Sequence, residues 1–320
     1  MKAGVIGVGK LGGTIAYALA RDGAFDHLVL HDVVGDLAWA QAEDLRHGMC
    51  GKVTVRSGGV ADMADADLVV LCAGEGRKPG MSRLDLLRTN APVVADLARE
   101  VGRVAPDAAL VVLTNPLDVM TAVACKASGL PREKVLGSGA LVDSVRLRAL
   151  IADRLGVTPG DVDAVVLGEH GDRAVPLFSR AKVKGKPLRR NAARERDVFE
   201  ALRGLSARVI AVKGSTTFGP AGCTAALARA LFSDEPSVVP ASVVLDGEYG
   251  LRGVALGVPV LVAKGRVVRV EEWPLSKDER EALREAGHDL EPFVAEATGE
   301  MDRGPPLERG SRPRACSRAF

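Results

Sequence analysis

Residues 3 to 12 read Ala3-Gly4-Val5-Ile6-Gly7-Val8-Gly9-Lys10-Leu11-Gly12. Ala3 to Gly7 is a short apolar run of the kind that forms a buried strand, and Leu11 to Ala20 carries a helical pattern. Between them Gly7, Gly9 and Gly12 form G-x-G-x-x-G in the strand–turn–helix setting that gives this motif its meaning. The first glycine permits the tight turn, the second lets a pyrophosphate touch backbone, and the third lets helix and strand pack closely. The helix N terminus then offers N–H groups and a favourable dipole to the phosphates.

Working outward, a second strand is predicted over His27 to His31. It ends at Asp32, about 20 residues beyond Gly12, where a carboxylate meets the ribose hydroxyls of a dinucleotide. That carboxylate repels an additional ribose phosphate, and Val33-Val34-Gly35 supplies no arginine to receive one. The pattern therefore predicts NAD in preference to NADP. Further strands are predicted over Val53–Val55, Leu68–Cys72, Ala109–Thr114 and Val135–Gly137. Helical patterns lie between most of them, the longest over Leu84 to Val104, and Pro116 suits the first turn of another. Apolar strands alternating with helices predict a doubly wound α/β parallel sheet covered on both faces.

Beyond residue 141 the pattern changes. Val142 to Leu155 reads as a helix, Val162 to Leu167 as a strand, Ala192 to Lys213 as a long amphipathic helix, and Pro220 to Ala230 as another. Closely spaced strands follow at Ser237–Asp246, Val254–Ala263 and Gly265–Val270. A last helix begins near Ser276, where Glu279 completes a capping box. The predicted organisation is a dinucleotide-binding domain over 1–141, an α+β substrate domain over 142–300, and a disordered basic tail over 301–320.

Composition narrows the function classes. Net charge is +2 with both signs interspersed, so no nucleic-acid footprint stands out. No apolar run reaches membrane-spanning length. Met1-Lys2-Ala3-Gly4 enters the first strand directly, so no secretion signal is expected and the cytoplasm is the expected location. Five scattered cysteines form no C-x-x-C, which predicts neither a disulfide framework nor a metal site. Asn and Gln are scarce and Arg outnumbers Lys, a bias that fits thermophilic adaptation and a GC-rich genome equally.

The residues suited to chemistry follow the predicted strands. Gly74-Glu75-Gly76-Arg77-Lys78-Pro79-Gly80-Met81-Ser82-Arg83 is a hinge-like loop carrying two arginines. Thr114-Asn115-Pro116-Leu117-Asp118 follows the fifth strand. Asp143 and Arg146, three apart, share one face of a helix, as any surface ion pair does. Gly168-Glu169-His170-Gly171-Asp172 sets a histidine, the side chain that titrates nearest neutrality, between glycines and acids. Alone it reads equally as a polar turn.

In this order the motifs resemble the NAD-dependent lactate/malate dehydrogenase family over about residues 1 to 300, most closely its lactate-dehydrogenase-like malate dehydrogenases. The resemblance implies a Rossmann domain followed by an α+β domain. It implies His170 as general acid and base, Asp143 as the partner of its imidazole, and Arg83 as the loop residue polarising the carbonyl. It further implies Arg146 as a fork for the substrate carboxylate, Asn115 beside the reacting oxygen, and Thr216 lining the pocket. Gly7, Gly9, Lys10, Leu11, Gly12, Asp32, Asn90, Thr114 and Asn115 become the expected cofactor contacts.

The residue ahead of Lys-Pro-Gly, here Arg77, faces the far end of the substrate in the family. Lactate dehydrogenases typically carry glutamine there and malate dehydrogenases arginine, so malate or oxaloacetate is expected, with L-lactate or another 2-hydroxy acid as the alternative. Homodimers or homotetramers are expected, with no nucleic-acid or membrane partner, and Ala42–His47 resembles a helix near the family's subunit contact. A non-catalytic relative would have lost one of Arg83, Asp143, Arg146 or His170. An NAD-using glycosidase of related fold would need metal ligands, and no cluster of these is apparent.

Overall fold

The computed structural model describes residues 1–76 and 80–299. The parallel half is built from β1 (Lys2–Ile6), α1 (Lys10–Asp22), β2 (His27–His31), α2 (Gly35–Met49), β3 (Thr54–Ser57), β4 (Leu68–Leu71), α3 (Arg83–Val104), β5 (Ala109–Val112), α4 (Leu117–Ser128) and β6 (Val135–Gly137). Its strand order is β3-β2-β1-β4-β5-β6, every neighbouring pair parallel. The chain reverses its direction of winding between β1 and β4, and such a switch point leaves a crevice at the carboxyl ends of the strands.

β4 and β5 are buried at every position, as strands covered by helices on both sides must be. The core is aliphatic: Ile6, Ile15, Leu19, Leu30, Leu71 and Leu110 are among its largest fully buried side chains, with Phe25 the one aromatic in that group.

The second half contains α5 (Gly139–Leu155), β7 (Val162–Asp163), β8 (Val166–Gly168), β9 (Ala174–Pro176), β10 (Lys182–Val183), β11 (Lys186–Pro187), α6 (Ala192–Lys213), α7 (Phe218–Leu231), β12 (Ser237–Asp246), β13 (Arg252–Ala263), β14 (Arg266–Val270) and α8 (Lys277–Gly299). Its main antiparallel strands do not form a separate sheet. β12 pairs with β6, Ser242 opposite Gly137, and β13 and β8 continue outward, Gly257 opposite Gly168. Both halves thus share one backbone framework, and the crevice of the first half opens beside the loops of the second.

Three expectations need correction. Val162 to Leu167 is two strands: β7 pairs with β10 in a small separate sheet, while β8 joins the large one. Pro116 lies just outside α4 as its cap rather than in its first turn, and the Asn115–Pro116 peptide is cis. α6 has the expected bounds, but only Val198 and Leu202 of its 22 residues are buried. The expected capping box at the last helix is present, with Ser276 N donating to Glu279 Oε2 at 3.0 Å and Glu279 N to Ser276 Oγ at 3.3 Å. The tail over 301–320 lies outside the described residues, as does Arg77.

Candidate active site

The glycine loop has the geometry its spacing predicts. Gly7 sits at φ +85°, and a Cβ there would lie 2.5 Å from Ala73 N. A Cβ on Gly12 would collide with the Gly7 carbonyl oxygen, whereas Gly9 faces open space. Gly9 caps α1 without a side-chain hydrogen bond, and no acid stands in the first turn of that helix. Its leading N–H groups are therefore left without side-chain partners, the condition for receiving an anion. Lys10 is exposed, and Leu11 half-buried, beside this opening. Asp32 is half-buried at the end of β2, where Oδ2 accepts from Val8 N at 2.9 Å and Oδ1 from Val34 N at 3.0 Å. Each oxygen keeps a lone pair for a hydroxyl.

Across the crevice two side chains fasten strand ends together. Asn90 donates to Glu75 O at 3.0 Å and Asn115 O at 2.8 Å and accepts from Glu75 N at 2.8 Å. Thr114 donates to Ala73 O at 2.6 Å. Both are buried and direct their polar groups at protein backbone. Asn115 instead is exposed at the mouth of the crevice.

His170 follows β8, and the turn is made by Gly168 at φ +85°. Its Nδ1 lies 2.7 Å from Asp143 Oδ2, and Asp143 Oδ1 accepts from Arg146 Nη1 at 3.1 Å. An ionised carboxylate only accepts, so Nδ1 carries the proton and Nε2 is left for a substrate. The ring packs against the start of α5, where a Cβ on Gly139 would fall 2.5 Å from His170 Cγ. Burial alone pushes the imidazole pKa down, but the charge and hydrogen bond of Asp143, with the charge of Asp118, leave it above the ordinary histidine value. Burial likewise opposes ionisation of Asp143, yet His170 and Arg146 hold its carboxyl below the usual range.

Arg83, expected on the loop just ahead of a helix from Leu84, falls at the start of that helix. It is the first residue of α3, whose start is fixed by Ser82, with Asp85 N donating to Ser82 Oγ and Ser82 N to Asp85 Oδ2. Its guanidinium pairs with Glu169 and lies 5.5 Å from the Phe293 ring centroid of α8. Thr216 is half-buried in the turn before α7, a helix that packs on α5.

Several site residues carried no separate prediction. Asp118, in a stretch already singled out, accepts from His170 N at 2.7 Å and from Ser242 Oγ at 2.7 Å. Ser138, just before Gly139, has a buried hydroxyl with no hydrogen-bond partner, as has Ser215 beside Thr216. Buried polar groups are normally paired. A buried Ser138 hydroxyl without a partner, and an open cradle at Gly9 ahead of a helix N terminus without a side-chain cap, fit a bound dinucleotide. Among the described residues no cluster of three or more His, Cys, Asp or Glu could hold a metal, and no helix is long and apolar enough to cross a membrane.

Residues 1–137 match the family model described as lactate/malate dehydrogenase, NAD binding domain, and residues 141–300 that described as lactate/malate dehydrogenase, alpha/beta C-terminal domain. The chain is 35% identical over 303 residues to L-lactate dehydrogenase 1 of Staphylococcus aureus (strain JH9), covering 92% of this chain and 96% of that protein. It is 38% identical over 305 residues to malate dehydrogenase 1 of Anaeromyxobacter dehalogenans (strain 2CP-C), covering 92% and 97%. The 2.9 Å resolution structure of malate dehydrogenase from Archaeoglobus fulgidus in complex with NADH aligns with a TM-score of 0.86 at 35% identity, covering 93% of this chain and all of that one. Lactate and malate enzymes thus stand at similar distances.

Proposed function

This chain belongs to the NAD-dependent lactate/malate dehydrogenase family, and from that premise we propose that it is a malate dehydrogenase interconverting malate and oxaloacetate. The observation that carries the chemistry is the His170–Asp143 pair, a partly buried imidazole whose Nδ1 is fixed and whose Nε2 is left for a substrate. NAD, which the Gly7–Gly12 loop and Asp32 would hold, would supply or accept the hydride. In reduction, His170 Nε2 gives its proton to the ketone oxygen as that oxygen becomes a hydroxyl; in oxidation it takes the proton back. Asp143 holds the ring and stabilises the imidazolium.

Arg146, 16% exposed, has N–H groups beyond the one given to Asp143 and binds the substrate carboxylate adjoining the ketone. Arg83 stabilises the charge developing on the ketone oxygen. Asn115 orients that oxygen from the crevice side, and Thr216 closes the pocket. Gly7, Gly9, Lys10, Leu11 and Gly12 receive the pyrophosphate and Asp32 the ribose, while Asn90 and Thr114 act through the backbone they fasten.

The choice of malate rests on Arg77, which lies outside the described residues. A second carboxylate needs a cation at the far end of the pocket, and pyruvate would leave that cation unpaired. The alternative is an L-lactate dehydrogenase, since lactate dehydrogenases are similar to this chain at about the same identity as malate dehydrogenases. The proposed working form is a homodimer or homotetramer, as in the family the chain belongs to.

The test is loss of NADH absorbance with oxaloacetate against pyruvate, each repeated with NADPH. Faster turnover of oxaloacetate with NADH supports the proposal. A preference for pyruvate overturns the part assigned to Arg77 and leaves the His170 chemistry in place.

A further inference from the structure

We propose that Asp118 is a positioning residue for His170, holding the backbone of the histidine loop from α4 while Ser242 holds Asp118 from β12. The inference rests on the dehydrogenase reading for its consequence in turnover, but its geometry stands independently. Asp118 Oδ2 accepts from His170 N at 2.7 Å, and Oδ1 accepts from Ser242 Oγ at 2.7 Å. Asp118 is 2% exposed and Ser242 fully buried. His170 is therefore gripped twice, at the ring by Asp143 of α5 and at the backbone by Asp118 of α4.

The grip joins the two halves of the molecule. α4 begins directly after Asn115 and Pro116 at the mouth of the crevice, and Ser242 lies opposite Gly137 where the parallel and antiparallel strands meet. Any shift of α4 relative to β12 is thereby passed to the histidine backbone.

The choice of a carboxylate is informative. A single backbone N–H is satisfied as well by a neutral amide oxygen, and burying a charge is costly unless it is paired. Burial does push the Asp118 pKa up, against the hydrogen bonds from Ser242 and His170 and the positive charges of His170 and Arg83. Burial prevails and leaves the Asp118 pKa above its ordinary value; in its ionised form the carboxylate favours the protonated imidazole. The charged groups acting on His170 are Asp143 and Arg146 from α5 and Asp118 from α4, while Arg83 of α3 acts on Asp118 and pairs with Glu169, the residue before the histidine. Asp118 is the one among them that holds the histidine backbone.

Asp118→Asn separates charge from position. The new amide oxygen still accepts from His170 N, and the Ser242 hydroxyl, a donor and an acceptor, rotates to receive the amide N–H. The decisive measurement is an NMR titration of the His170 imidazole in the full-length protein, wild type against Asp118→Asn, with the resonance assigned by His170→Gln. The expected result is a midpoint lowered by about one pH unit, with the other four histidines unmoved. An unmoved His170 midpoint overturns an electrostatic part for Asp118.

Position is read separately in Asp118→Ala, where keto-acid reduction should fall on the order of 100-fold in kcat with a much smaller change in KM. Ser242→Ala, should Asp118→Ala fail to fold, is expected to give a smaller loss in kcat of the same kind. Wild-type kcat in both Asp118→Ala and Ser242→Ala overturns the positioning role. If wild type reduces no 2-keto acid, the dehydrogenase reading fails, while the imidazole titration still decides the contact between Asp118 and His170.

Discussion

The guanidinium of Arg83 pairs with the carboxylate of Glu169, the residue directly before His170. Glu169 is 2% exposed, so its charge needs a partner close by, and the partner comes from a helix more than eighty residues earlier in the chain. The arginine proposed to stabilise the reacting oxygen is thus held beside the histidine proposed to protonate it. The guanidinium also lies over the Phe293 ring, 5.5 Å from its centroid.

Arg83→Gln should lower kcat for keto-acid reduction by about 100-fold or more, the scale on which transition-state donors act. Keto-acid KM should change far less, since the interaction strengthens only as charge develops. Steady-state kinetics at saturating NADH measures both. A rise in KM at unchanged kcat would place Arg83 in ground-state binding instead.

The pH dependence follows from Asp143. Its negative charge is the leading influence that offsets burial and raises the His170 pKa. Reduction needs the protonated imidazole, so its rate should persist above the ordinary histidine value of about 6.5 and fall through the raised pKa. Oxidation needs the neutral ring and should rise through the same value. In Asp143→Asn the raising charge is gone and burial remains, so the falling limb for reduction should move to lower pH. Profiles of kcat/KM in both directions check the sign, and a limb that moves upward would contradict it.

Gly139→Ala sets two principles against each other. At the first position of α5, alanine is the better helix former by up to about 1 kcal/mol. Yet the added methyl would lie 2.5 Å from His170 Cγ and 2.6 Å from its Cβ. The expected outcome is a variant that folds, as thermal unfolding will show, but reduces keto acid at least tenfold more slowly because the ring is displaced from Asp143. Unchanged activity would mean that the histidine loop yields without cost.

Much of this was legible in the residues. β2 and β6 fall where their apolar runs end, because a strand buried on both faces leaves a continuous signal. Val162 to Leu167 misled because its apolar residues resume after Asp163 while its pairing partner changes. Sequence pattern reports which side chains are inside, not which strand lies alongside. Asp118 was hidden for a related reason. An acid in the first turn of a helix is favourable there by itself, and nothing local reveals a partner 52 residues onward. Arg83 looked like part of a loop, although Ser82 and Asp85 already had the spacing of a capping pair that starts the helix before it.

Substrate choice supplies the last prediction. In Arg77→Gln a carboxamide takes the place of a cation at the proposed far end of the pocket. On that proposal oxaloacetate would lose the partner of its second carboxylate, and pyruvate would no longer leave a charge unpaired. Removing one partner of a buried ion pair costs about 3–5 kcal/mol in general, and each 1.4 kcal/mol is about tenfold. The ratio of kcat/KM for oxaloacetate to that for pyruvate should therefore fall by roughly a hundredfold or more. The two substrates are to be compared in the same preparation, with NADH affinity as the control. An unchanged ratio at unchanged NADH affinity would mean that Arg77 points away from the substrate, and the preference for malate would need another source.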